Sequence, residues 1–225
     1  MHNFIKIGAI AVIISFLYGC GSGVTIDTAD KSYSSDTITA NVKIPQIKGL
    51  GSKDLEESLN EEFLSVTSEL LDKFTASAKE TGEQSLFDME TTAHFNKKGL
   101  LSMVTDYEYF ARKAHKNRYR IAKNIDTESC RELALSDLFD GDSYIDALNK
   151  LLTDSVSKEP EKYADIWAKP KISQNQGFYI DGENLVIFYP PYELSYYERG
   201  FVEIPIPLEE ILTYLKPDYR AIFAE

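Results

Sequence analysis

The sequence predicts an α+β fold: an antiparallel sheet packed on a long helix, followed by a second, smaller α+β subdomain. Three observations carry this. Residues 37–44 alternate apolar and polar, as a half-buried strand does. Residues 52–82 then follow the helical period. Three further alternating runs between residues 87 and 125, separated by short turns, complete a meander against which that helix can pack.

The first element is not part of the fold. His2 and Lys6 precede an apolar run from Ile7 to Leu17, too short to span a bilayer and suited to the apolar region of a signal peptide. Leu17-Tyr18-Gly19-Cys20 resembles a bacterial lipobox, which makes Cys20 the expected lipidation site and residues 1–19 the removed leader. Residues 20–36 then read as the lipidated cysteine and a small, polar linker. Cleavage before Cys20 would remove Lys6 and make the formal charge one unit more negative than −12. Cys130 would be left as the lone thiol, so no internal disulfide is expected.

In the strand at residues 37–44, Ile38, Ala40, Val42 and Ile44 share a face, and Pro45 should end it. Ser52 is the expected N-cap of the long helix, with Leu55, Leu59, Phe63, Val66, Leu70 and Phe74 as its buried stripe and Gly82 as its stop. Glu56, Glu57, Glu61 and Glu62 read as a solvated face. The meander places Phe87, Met89, Thr91, Ala93 and Phe95 on one strand, turns at Asn96–Gly99, and continues with Leu101, Met103, Tyr107 and Tyr109. A basic loop, Arg112 to Lys116, leads to the third strand. A helix over roughly Ser143 to Ser157 should bury Ile145, Leu148, Leu151 and Leu152. Strands at 178–180, 185–189 and 201–206 follow, with Pro207 opening a short helix through Leu215.

Charge and motifs exclude several functions. With 24 Lys and Arg against 36 Asp and Glu, there is no cationic surplus to displace counterions, so nucleic acid is not the expected partner. His94 and His115 have no second His or Cys at ligand spacing, and no phosphate loop or nucleophile elbow occurs, so neither metal nor cofactor is expected. One stretch is unusual: Phe188 to Gly200 carries Tyr189, Tyr192, Tyr196 and Tyr197 beside Pro190 and Pro191. Prolines stiffen a loop and tyrosines supply contact area at low entropic cost, which suits recognition; the same rings would equally lid a core edge.

The run Pro191-Tyr192-Glu193-Leu194-Ser195-Tyr196-Tyr197-Glu198-Arg199-Gly200, with Ile206-Pro207 beyond it, resembles the C-terminal domain of the lysozyme-sensing anti-sigma-V factors, the RsiV type. Ala114-His115 leading to Leu133-Ala134-Leu135-Ser136-Asp137-Leu138-Phe139 matches the same pattern, although Arg112, Lys113 and Lys116 stand where the family has glycines. Val42-Lys43-Ile44-Pro45-Gln46-Ile47 and the helix after it are similar to the companion N-terminal domain, also found in PdaC-type peptidoglycan deacetylases. The resemblance divides the chain into an N-terminal domain over 37–126, a C-terminal domain over 127–217 and a tail over 218–225. No sigma-binding region precedes the apolar run and no deacetylase domain is present, so the expectation is the ectodomain pair alone, held outside the cytoplasm on a bacterial membrane by its lipid.

What the resemblance implies is a non-enzymatic binding module for lysozyme or another muramidase. The acidic balance suits a basic partner. The alternative is a peptidoglycan or glycan module, and an envelope hydrolase has the least support. The expected contact residues are Tyr192, Glu193, Tyr196 and Tyr197, with His115 as a further candidate.

Overall fold

The structure, a computed structural model, describes residues 23–111 and 116–224. Its fold is α+β. Strands β1 (Thr25–Ser34), β2 (Ile38–Lys48), β3 (Ser85–Lys97), β4 (Leu100–Ala111), β5 (Asn117–Asp126) and β6 (Arg131–Glu132) lie in sequence order in one sheet. Strands β7 (Gly177–Ile180), β8 (Asn184–Tyr189) and β9 (Val202–Pro207) form a second. The helices are α1 (Lys53–Thr81), α2 (Tyr144–Lys158) and α3 (Pro217–Phe223). Two compact units emerge: residues 23–92 with 105–111 and 116–120, and residues 93–104 with 121–224.

In the first unit, α1 is built as its sequence predicts. The Ser52 hydroxyl accepts the Leu55 N–H at 3.3 Å, and Gly82 turns left-handed at φ 65° to return its N–H to Ala78. Leu59 and Phe63 are fully buried, and Phe74 stacks on Tyr109 at 4.1 Å. Thr67 takes a buried place in the same stripe because its hydroxyl donates to the Phe63 carbonyl at 2.6 Å.

Three features depart from the sequence expectation. Residues 25–34, within the stretch read as linker, form strand β1. Val24 and Ile26 point into the core, while the outer half is polar because an edge strand needs only one partner. Pro45 does not end β2, which runs on to Lys48 paired with β1. The β3 pairing of β2 reaches only Asn41↔Asp88, so at Pro45 one side has no strand to receive an N–H. Instead, Asn60 from α1 occupies that side near the strand end, accepting the Ile47 N–H at 2.8 Å and donating to the Ile47 carbonyl at 2.9 Å. Finally, β2 and β3 pair parallel, because the α1 crossover returns the chain to the starting end of the sheet.

In the second unit, Leu100, Ser102 and Val104 are buried as well as Leu101 and Met103, where alternation predicts one buried face. The three-stranded sheet packs there: Val104 lies with Tyr179, Val186 and Phe188. A buried chain of hydrogen bonds joins the layers. The Ile180 N–H donates to Ser102 Oγ at 2.8 Å, Ser102 donates to Asn124 Oδ1 at 2.6 Å, and Asn124 Nδ2 donates to the Phe178 carbonyl at 2.9 Å. On the opposite face, α2 buries Leu148 and Leu152 among Ile180, Leu185, Ile204 and Ile206. Tyr144 fills the place expected of Ile145, which is exposed, because Tyr144 stacks on Phe139 at 4.2 Å. With β8 enclosed on both faces, its residues from Leu185 to Tyr189 are all buried. Gly177 opposes Phe188, and any Cβ there would lie 2.5 Å from the ring. Pro205 and Pro207 sit on the outer strand β9. Pro207 closes that strand instead of opening a helix; two 3-10 turns follow, and the residues read as a tail form most of α3, with Pro217 in its first turn.

Two carboxylates fix the connections around β6. Asp126 accepts the N–H groups of Ser129 (2.9 Å) and Glu128 (3.0 Å), and Asp137 accepts the Ala134 N–H (2.9 Å) and pairs with Arg131. Burial pushes both carboxyls up, but these hydrogen bonds and charges outweigh it and hold both below the ordinary 3.8. A depressed folded pKa contributes stability above the unfolded value and loses it as pH falls through the folded one. Urea midpoints should therefore stay level from neutral pH to about 4 and fall below that. In Asp126→Asn the acid slope should be shallower; an unchanged slope would remove Asp126 from the account.

Candidate functional site

The tyrosine-rich loop leaves the end of β8 and is tied down along its length. Tyr189, the last residue of the strand, is 0% exposed and donates to the Lys171 carbonyl at 3.2 Å. After Pro190 and Pro191 the chain turns back, with the Glu193 N–H donating to the Pro190 carbonyl at 3.2 Å. Tyr192 adopts φ 72°, a left-handed conformation that an L side chain enters at a cost of roughly 1–2 kcal/mol. Leu194 inserts into the core beneath, and the buried Ser195 hydroxyl donates to the Asp165 carboxylate at 2.7 Å. The same carboxylate binds the Arg199 guanidinium, whose other nitrogen donates to the Lys162 carbonyl at 2.7 Å. Trp167 closes the clasp from the opposite segment, donating its backbone N–H to the Leu194 carbonyl at 3.0 Å. Burial pushes the Asp165 carboxyl up, yet the Ser195 hydrogen bond and the Arg199 charge outweigh it and hold it low, so the clasp is ionic at neutral pH.

This anchoring presents rings to solvent. Tyr192 is 67% exposed, Tyr196 62% and Trp167 49%. They form two pairs: Tyr192 leans on the half-buried Tyr197 with centroids 5.1 Å apart, and Tyr196 meets Trp167 edge-on at 4.8 Å. Glu193 is exposed beside Tyr192, and partial desolvation raises its carboxyl above the usual range. The structure thus gathers Tyr192, Glu193, Tyr196 and Tyr197 on one loop. It separates Tyr189 from them as a core residue.

Other sequence-predicted positions fall elsewhere. Cys20 and His115 lie outside the described residues. Lys116, at the end of the basic loop, pairs with Glu108 at 2.5 Å, which also receives Arg118, and Arg120 binds Asp106 through two hydrogen bonds. His94 lies against Tyr179 at 4.2 Å. Cys130, in the turn before β6, contacts the Thr127 carbonyl. Trp167 and Asp165 are missed by the sequence reading. The single tryptophan of the chain is itself a signal; the pairing of Asp165 with a residue 34 positions away leaves none.

The loop, β7 to β9 and α2 fall within one stretch that is similar to known proteins. Residues 136–209 match DUF3298. That family is described as a protein of unknown function. Over a longer stretch of 198 residues, the chain is 27% identical to the anti-sigma-V factor RsiV of Bacillus subtilis (strain 168), covering 76% of this chain and 64% of that protein's length. In fold it is similar to the crystal structure of a DUF3298 family member from Bacteroides fragilis, with a TM-score of 0.67 and 19% identity over 91% of this chain and 98% of the other. A DUF3298 family protein from Pseudomonas aeruginosa PAO1 gives 0.58 and 13% over 87% and 95%. The RsiV resemblance read from the loop therefore extends through most of the chain.

Proposed function

We propose that this chain is a non-enzymatic, extracytoplasmic binding module whose DUF3298 loop docks on a basic protein of the lysozyme class. The observation that carries the proposal is the pair of exposed tyrosines, Tyr192 and Tyr196, held by a buried leucine and an ionic clasp on a loop that has no need of them for packing. Rings preset in this way lose little entropy on docking, which is what an interface anchor requires. The similarity to RsiV and the formal charge of −12 support a cationic partner. Cys20 is proposed as the lipid anchor. Among the described residues no helix is long and apolar enough to cross a membrane.

A glycan module is the competing reading, favoured by the same exposed ring pairs. One experiment separates them. Membranes carrying the chain are incubated with a c-type lysozyme or with soluble peptidoglycan fragments, from low to physiological salt. Lysozyme should be retained, with affinity falling as salt screens the charges, and Cys20→Ser should move chain and lysozyme together to the soluble fraction. Retention of fragments alone, insensitive to salt, would overturn the protein-partner reading in favour of the glycan one.

A further inference from the structure

The indole of Trp167 has no part in the core, yet it is held as firmly as the loop. Ile166 before it packs against the core, and the Trp167 N–H is bonded to Leu194. Its half-exposed ring therefore stands out because of how the backbone is fixed, not because the segment is loose. Tryptophan and tyrosine are the side chains most enriched among residues that dominate binding energy, and Trp167 and Tyr196 present a continuous surface from two segments. The surrounding charge has a sign. Arg199 is spent on Asp165, and Lys162 pairs with Glu159 at 3.2 Å and lies over the Tyr163 ring. Glu161 and Glu193 stand at the surface. Lys169 and Lys171 lie apart from the pair, lining a groove of about 360 Å³ against α2 with Asp146, Lys150 and Asp154.

We infer that Trp167 is a second partner anchor, forming with Tyr196 one contact patch on the same cationic protein that Tyr192 engages. The inference rests on the docking reading of the loop and adds to it a residue from the segment before β7. An exposed edge-on aromatic pair on segments that also carry surface carboxylates fits a partner that offers an apolar recess rimmed by Lys or Arg.

The test uses a c-type lysozyme as probe. The chain is prepared with fluorotryptophan, which labels Trp167 alone because it is the only tryptophan, and its fluorine NMR signal is followed as unlabelled lysozyme is added. The resonance should shift and broaden on binding, and Trp167→Ala should bind roughly thirtyfold more weakly with the melting temperature of the wild type. Trp167→Tyr should recover part of the loss. An unmoved resonance with wild-type affinity in Trp167→Ala, while Tyr192→Ala binds poorly, overturns the role of Trp167 and leaves the loop reading standing. A wild-type chain that does not bind lysozyme overturns both.

Discussion

Truncating Tyr189 to alanine should destabilise the protein by about 3–5 kcal/mol, the range for a buried aromatic replaced by alanine. The ring is fully enclosed beside Leu194 and Val202, so its loss leaves a cavity that the enclosed strand β8 cannot collapse to fill. It also leaves the Lys171 carbonyl without the hydroxyl that serves it. For a chain of this length the melting temperature should drop by roughly 6–20 °C. Scanning calorimetry checks this, and a drop of a degree or two would mean that the ring is not part of the core. Affinity for lysozyme, measured on the folded fraction, should change little.

Tyr192 should behave in the opposite way. Its ring leans on Tyr197 and is mostly exposed, so Tyr192→Ala should keep the melting temperature within about 2 °C, as exposed positions do. Affinity for lysozyme should fall by tens of fold, on the order of 2 kcal/mol for a docked tyrosine. Tyr192→Gly makes the contrast sharper. Glycine enters φ 72° freely, relieving roughly 1–2 kcal/mol of backbone strain while adding about 0.5–1 kcal/mol of unfolded-state entropy, so stability should hold or rise as affinity is lost. A variant that melts lower and binds as well as wild type would place the docking surface elsewhere on the molecule.

These two tyrosines also mark where the sequence stops being legible. Their composition points to recognition, but spacing cannot separate a ring inside the core from one outside it. The separation arises because β8 runs to Tyr189 and is covered on both faces, by α2 and by β4, and coverage from two layers is a property of the tertiary fold. The same cause hides the burial of Leu100, Ser102 and Val104, and puts Tyr144 where Ile145 is expected. By contrast, α1 is legible from end to end, since Ser52, the apolar spacing and Gly82 act within a few residues of one another. Strand β1 is the reverse case: its outer half is polar, and only its pairing with β2 makes it a strand. In the candidate site, the exposed tyrosines and Glu193 follow from the motif, whereas the Asp165 clasp and the Trp167 ring come from a segment that only folding brings to the loop.

The buried hydrogen-bond chain from Ile180 through Ser102 and Asn124 to Phe178 bears on how such a protein diversifies. A slide of the small sheet by even one residue would strand several buried polar groups, each at about 1–3 kcal/mol. The platform is therefore locked in register by groups that lie apart from the Pro190–Gly200 loop it carries. Substitutions at the exposed rings can accumulate without moving the strands beneath, so new partners are reachable by point changes in the loop alone. A laboratory library restricted to Tyr192, Glu193, Tyr196 and Trp167 would exploit the same independence.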